Sequence, residues 1–212
     1  MSLDPIASRL AAEGVAFAPE IAGAARRYSL DPDLLAAVAA QETGGPDSNA
    51  GHNEVGDGGH GRGLFQIDDR WHPFAITQAA MDPGKNADYA AGMLHGLLDR
   101  YGGNVREALS AYNAGSPTAA GTKTRWSDGA DLPYAESVLR HYQRLTGESP
   151  RSSAIAESHA EIASTGALRA QAQRLPLPAT PFAGRAVSPH TYQRQATDYL
   201  SLLNDDTDEN NS

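Results

Sequence analysis

The 212-residue chain contains no cysteine, so disulfide bridges, thiolate metal sites and cysteine nucleophiles are excluded together. Aromatic residues are only 7% of it, and the apolar content leans on alanine, which favours a helical core of small side chains over a sheet sandwich. Cations are also short: 17 Lys and Arg against 26 Asp and Glu give a net charge of −9. A binder of phosphate backbones needs clustered cations, so nucleic acid is not an expected partner. No apolar run is long enough to cross a bilayer, and no membrane insertion is expected. The opening residues, MSLDPIASRLAAEGVAFAPEIAG, have neither the basic flank nor the unbroken apolar core of a secretory signal. The expectation is a chain made in the cytoplasm, with any task in the periplasm or cell wall depending on non-classical delivery.

What is present is a series of helix signals. Asp4-Pro5 and Asp31-Pro32 each place a capping acid before a first-turn proline. The first opens a helix to about Gly14, and a second short helix covers Ala18 to Tyr28. The second Asp-Pro precedes LLAAVAAQET, where Leu34, Leu35, Val38 and Ala39 make one apolar stripe. That helix is expected to end with Glu42, ahead of Gly44-Gly45. From Gly44 to Gly63 the residues are mostly Gly, Asn, Asp and His, which reads as turns or a small hairpin. LFQI then forms a short strand or turn, and three periodic helices follow at about Lys85 to Tyr101, Asn104 to Asn113 and Pro133 to Leu145.

The expected fold class is mainly α, with helices bundled around a buried central one and a small β-hairpin region forming a cleft. Residues 1–29 read as an N-terminal helical segment packing on the core, 30–147 as the main domain, and 148–212 as an extension that can bury little. That extension comprises the linker ESPRSS, helical composition from Ala154 to Leu175, the Pro-rich spacer PLPATPFAG and the acidic end NDDTDENNS.

Glu42 carries the first chemical signal. It sits at the end of an apolar helix and before a glycine-rich segment, so its carboxyl can be half buried and still face a cleft. Desolvation raises a carboxyl pKa, and a carboxyl protonated at neutral pH can donate a proton to a leaving oxygen. Downstream come Gly63-Leu64-Phe65-Gln66, then Ala111-Tyr112-Asn113-Ala114-Gly115, then Tyr134 ahead of AESVLRHYQRL. With QETGG, these motifs resemble in order and spacing the lytic transglycosylase and goose-type lysozyme superfamily, over roughly Leu30 to Leu145.

The resemblance implies a peptidoglycan-cleaving glycosidase with Glu42 as general acid and no cofactor. It implies that Gln66 lines the sugar cleft, that Tyr112 and Asn113 orient the acid and the N-acetylmuramic acid ring, and that Tyr134 is a second phenol near the acid. Tyr112 is expected to hydrogen-bond the carboxyl. Gly63, lacking a side chain, would let backbone approach a sugar closely. Asp57 and Asp68 fall where the goose-type family carries cleft aspartates, and His72 where it has a substrate-contacting histidine. An inverting hydrolase needs a second carboxylate roughly 6.5–9.5 Å from the acid to activate water. Asp57 and Asp68 therefore favour a muramidase that hydrolyses the β-1,4 bond between N-acetylmuramic acid and N-acetylglucosamine. A lytic transglycosylase giving 1,6-anhydro ends stays open as an alternative, as does a non-catalytic glycan-binding or virion protein.

Thr43 stands where the family usually has Ser, keeping the hydroxyl and adding a methyl. The lack of cysteine and the acidic balance resemble bacterial or phage members more than animal ones. Asp47, Asn49, Gly51 and Asn53 alternate as in a calcium loop, but the closing position is Gly58. That loop, and a site built from His52, Glu54, Asp57 and His60, are set aside, and no metal is expected. The expected partners are peptidoglycan strands, with delivery machinery and an immunity protein if the chain is an antibacterial effector, or a release route if it is a phage lysin.

Overall fold

The computed structural model describes residues 4–148; the linker, helix, spacer and acidic end expected after them lie outside the described residues. Among the described residues, six α-helices carry the fold. Helix α1 (Pro5–Ala12) starts where Asp4 accepts from the Ile6 amide, and α2 (Ala18–Arg27) buries Ile21 and four alanines. In α3 (Pro32–Ala39), Asp31 caps by accepting from the Asp33 amide, and every residue from Leu34 to Ala39 is buried. A helix apolar on all sides belongs in the middle of a domain, and α3 lies between α2 and α6. Small side chains on α3 and α2 let these neighbours approach closely.

Helices α4 (Pro83–Arg100), α5 (Val105–Ala114) and α6 (Tyr134–Thr146) complete the bundle. Leu94, Leu97, Leu98, Leu109 and Val138 join Leu10, Leu34 and Leu35 in one contiguous core. Asn104 caps α5 by accepting from the Glu107 amide, and Gly115 ends it in the left-handed region. Tyr142 of α6 donates to Asp31 at 2.7 Å, tying the last helix to the start of α3.

The hairpin region is a three-stranded antiparallel sheet of β1 (Glu54–Gly56), β2 (Gly61–Gly63) and β3 (Ile67–Asp68). Gly56 pairs with Gly61, and Gly61 with Asp68. A second hairpin, β4 (Lys123–Arg125) and β5 (Asp131–Pro133), enters α6 directly. The mainly α architecture expected from composition and periodicity is therefore present, while this second hairpin was not anticipated.

Gly63 requires a correction. Its φ is +75°, and a Cβ there would stand 2.5 Å from both Asn86 Nδ2 and the Ala80 carbonyl oxygen. The room this glycine leaves is taken by Asn86 of α4. Fully buried, Asn86 accepts from the Phe65 amide at 2.8 Å and donates to the carbonyls of Arg62 and Ala80 at 3.0 and 2.9 Å. One amide thus holds the turn between β2 and β3. Asn86→Ala strands three buried polar groups, each worth about 1–3 kcal/mol unpaired. We expect a stability loss of about 3–5 kcal/mol in urea unfolding; a loss below about 1 kcal/mol would show that neighbours or water replace the amide.

Candidate active site

Glu42 does not lie on the α-helix proper. After Ala39 the chain widens into a π-helical turn, Ala40–Gly44, a departure from α geometry that concentrates at functional sites. Beyond buried Ala40, Gln41, Glu42 and Thr43 are half-buried. The Thr43 hydroxyl lies 3.1 Å from the Leu64 carbonyl and accepts from the His52 amide at 2.8 Å. Thr43 thereby joins the acid's turn to the turn between β2 and β3 through its hydroxyl.

The Tyr134 phenol donates to Glu42 Oε1 at 2.6 Å. Tyr134 is buried, and Tyr112 stacks on it with ring centroids 6.4 Å apart at 17°. The hydrogen bond expected of Tyr112 is thus made by Tyr134. Burial raises the Glu42 pKa to about 7, and the Tyr134 hydrogen bond, which favours the charged form, offsets only part of that rise. Burial and the Glu42 carboxylate push the Tyr134 phenol well above its ordinary value, so it remains a donor.

Asn113 and Gln66 each tie one atom of the side-chain amide to the fold. Asn113 Oδ1 accepts from the Thr122 amide at 2.8 Å, and a Cβ on Gly121 would stand 2.2 Å from that oxygen. This fastens the segment leading into β4. Gln66, at φ +47°, donates through Nε2 to the carbonyls of Gly63 and Glu54 at 2.9 and 3.2 Å. Its Oε1 lies across the paired glycines, 2.1 and 2.2 Å from where Cβ atoms on Gly56 and Gly61 would be. His72 is 6% exposed and its Nδ1 lies 2.9 Å from the Tyr89 hydroxyl. Burial lowers its pKa to about 4, leaving it neutral.

Asp57 and Asp68 meet through a residue that the sequence did not single out. Arg70 Nε donates to Asp68 Oδ1 and Oδ2 at 2.9 and 3.0 Å, and its Nη2 reaches Asp57 as well. Burial pushes Asp68 upward, but the hydrogen bonds and charge of Arg70 outweigh it and hold the carboxyl below the usual range. His60, Asp68 and Asp69 could present three ligand atoms within 4.8 Å of one another. Arg62 and Arg70 already compensate Asp69 and Asp68, so this group is charge-satisfied as it stands. In the alternating loop, the side-chain nitrogens of Asn49 and Asn53 donate to the carbonyls of Glu13 and Met81.

With this geometry in view, the chain belongs to the family of the transglycosylase SLT domain, whose model matches residues 20–131. It is 32% identical over 132 residues to protein IpgF of Shigella flexneri, covering 59% of this chain and 80% of the relative. It is 31% identical over 133 residues to the invasion protein IagB of Salmonella typhimurium, covering 59% and 76%. A transglycosylase of Enterobacteria phage PRD1 is 34% identical over 131 residues, covering 61% of this chain and 44% of its own length. No solved structure matches. Family and relatives support peptidoglycan cleavage, and a carboxyl raised to about 7 is chemically suited to it.

The raised pKa also has a thermodynamic consequence. A folded-state pKa of about 7 against 4.5 for the free side chain means the folded protein holds this proton more tightly. The stability it contributes is fully present below about pH 4.5 and is lost as pH rises through about 7. Glu42→Gln removes a cost of about 3 kcal/mol at pH 8 and almost none at pH 4. Thermal melts should therefore show the variant more stable at pH 8 and level with the parent at pH 4. Equal melting temperatures at both pH values would mean that Glu42 is not desolvated.

Proposed function

We propose that the chain is a lytic transglycosylase acting on the β-1,4 bond between N-acetylmuramic acid and N-acetylglucosamine, with Glu42 as its single acid and base. The observation that carries this reading is the pairing of Asp57 and Asp68 with one arginine. Hydrolysis by inversion needs a carboxylate available to deprotonate water. Arg70 occupies both candidates and makes Asp68 a weaker base. Internal attack needs no second carboxylate.

In this scheme Glu42 gives its proton to the glycosidic oxygen as the bond to the muramyl carbon breaks. The resulting carboxylate takes the proton of the muramyl 6-hydroxyl as that oxygen closes on the same carbon. Glu42 ends protonated, and the product carries a 1,6-anhydro end. A group that must give and then take a proton works best with its pKa near the working pH, which a carboxyl at about 7 satisfies. Tyr134 keeps one oxygen fixed throughout.

Muramidase hydrolysis is the second reading, and one observation favours it. The Asp57 side chain is 62% exposed, and an exposed ion pair is worth only about 0–1 kcal/mol, so water can reach this carboxylate. A non-catalytic glycan binder has less support, because it gives no reason to hold an acid at a raised pKa. The invasion protein and the phage transglycosylase among the relatives support a chain that opens the cell wall locally, outside the cytoplasm, for a delivery or phage assembly.

Glu42→Gln should lower cleavage of isolated peptidoglycan by at least ~100-fold. Near-parental activity in the folded variant would remove Glu42 from the mechanism. Mass spectrometry of the muropeptides should find 1,6-anhydro ends, and the Asp57→Asn, Asp68→Asn double variant should keep cleavage within about threefold, as expected for losing an exposed pair. Free reducing ends, with a double variant that collapses far more than its two single changes combined, would establish the hydrolase instead.

A further inference from the structure

The residue before the acid, Gln41, meets two other elements. Its Oε1 accepts from the Ser137 hydroxyl of α6 at 2.5 Å, and its Nε2 donates to Thr124 of β4 at 2.8 Å. Ser137 in turn accepts from Trp126 Nε1 at 3.0 Å. Trp126 is 1% exposed, packed against the His141 ring with the Arg140 guanidinium 4.2 Å above it. The indole therefore anchors the β4–β5 hairpin to α6, and the chain Trp126–Ser137–Gln41–Thr124 closes on itself through that hairpin.

Tyr134 and Ser137 are three residues apart on α6 and so share a face. One holds Glu42, the other Gln41. Adjacent residues of a π-helical turn, which lacks the regular ladder of an α-helix, are thus gripped from the same helix at two points. We propose that Gln41 is a positioning residue, held by Ser137 and Thr124, that fixes the π-helical turn so that Glu42 meets Tyr134 with its carboxyl shielded from water. Trp126 acts one step further out, by orienting Ser137. Among the described residues, the titratable group that contacts Glu42 is Tyr134 from α6, on which Tyr112 of α5 stacks. This inference rests on the reading of Glu42 as the acid.

The test uses the full chain and the variants Gln41→Ala, Gln41→Glu and Ser137→Ala. Each is read by kcat and KM against pH on soluble peptidoglycan strands, and by NMR titration of the Glu42 carboxyl, assigned by comparison with Glu42→Gln. Thermal melts accompany each variant. The expected result for Gln41→Ala is a fall in kcat of at least ~30-fold with KM within about twofold, as when a transition-state group is displaced. The Glu42 carboxyl should titrate about one pH unit lower, because a loosened turn admits water, and the alkaline limb of the activity profile should move with it. Gln41→Glu, which keeps an acceptor for Ser137, should recover part of kcat when its own carboxyl is protonated.

An unchanged Glu42 titration, with activity lost only in proportion to a lower melting temperature, would mean that Gln41 is merely structural and would overturn the proposal. So would unchanged kcat in both Gln41→Ala and Ser137→Ala. If Glu42→Gln stays active while Gln41→Ala still lowers the Glu42 titration, the positioning stands and the assignment of the acid fails, so the two readings are separable.

Discussion

One constraint organises the site: a carboxyl must be taken out of water far enough to stay protonated near neutrality, yet remain open to a substrate. Burial alone would drive the pKa of Glu42 further up, and the Tyr134 hydrogen bond restrains it to about 7. Helix α3, apolar on every side, brings the chain to the centre of the bundle. The π-helical turn then carries Glu42 out of that buried helix to a half-buried position. Around it, α6 contributes Tyr134 and the β2–β3 turn meets Thr43. The packing of α3 against α6 therefore bears directly on chemistry, since it sets the distance between acid and phenol.

Much of the fold was legible because it is periodic and capped. Asp4 and Asp31 cap helices as their sequence context implies, and α2, α4, α5 and α6 lie within a residue or two of the expected spans. The π-helical turn was not legible. AQETG continues the helical pattern of α3, and nothing local distinguishes a wider turn from an α-helical one, because tertiary contacts from Thr43 and Gln41 decide it. The β4–β5 hairpin also went unread. Its strands have three residues each, too short for alternation to stand out, and it is held largely by Trp126 reaching to α6.

The site was legible in its residues more than in its bonds. Motif order brought out Glu42, Tyr112, Tyr134 and Asn113, and the structure gathers three of them into the cluster of acid and stacked phenols. It could not say which phenol bonds the acid, since that depends on where α5 and α6 cross. Asn86 was invisible because a lone Asn in an amphipathic helix has no signature; its role follows from Gly63, 23 residues earlier in the chain, leaving room for it. Arg70 was missed for a related reason. An arginine two residues after an aspartate reads as surface charge until the sheet brings Asp57 to the same guanidinium.

Arg70 matters beyond its pairing, because it changes what the two aspartates are able to do. A carboxylate that accepts charge-assisted hydrogen bonds has less tendency to take a proton from water, and its geometry is set by the guanidinium fork. Freed of Arg70, Asp57 and Asp68 would bring two like charges toward one place, which would raise one pKa and create a base. Paired, they form a compensated strut between β3 and the turn Asp57–Gly59 that follows β1. Under the proposed transglycosylase reading, the cation that already claims the two aspartates counts more than their presence in disfavouring water as the attacking group.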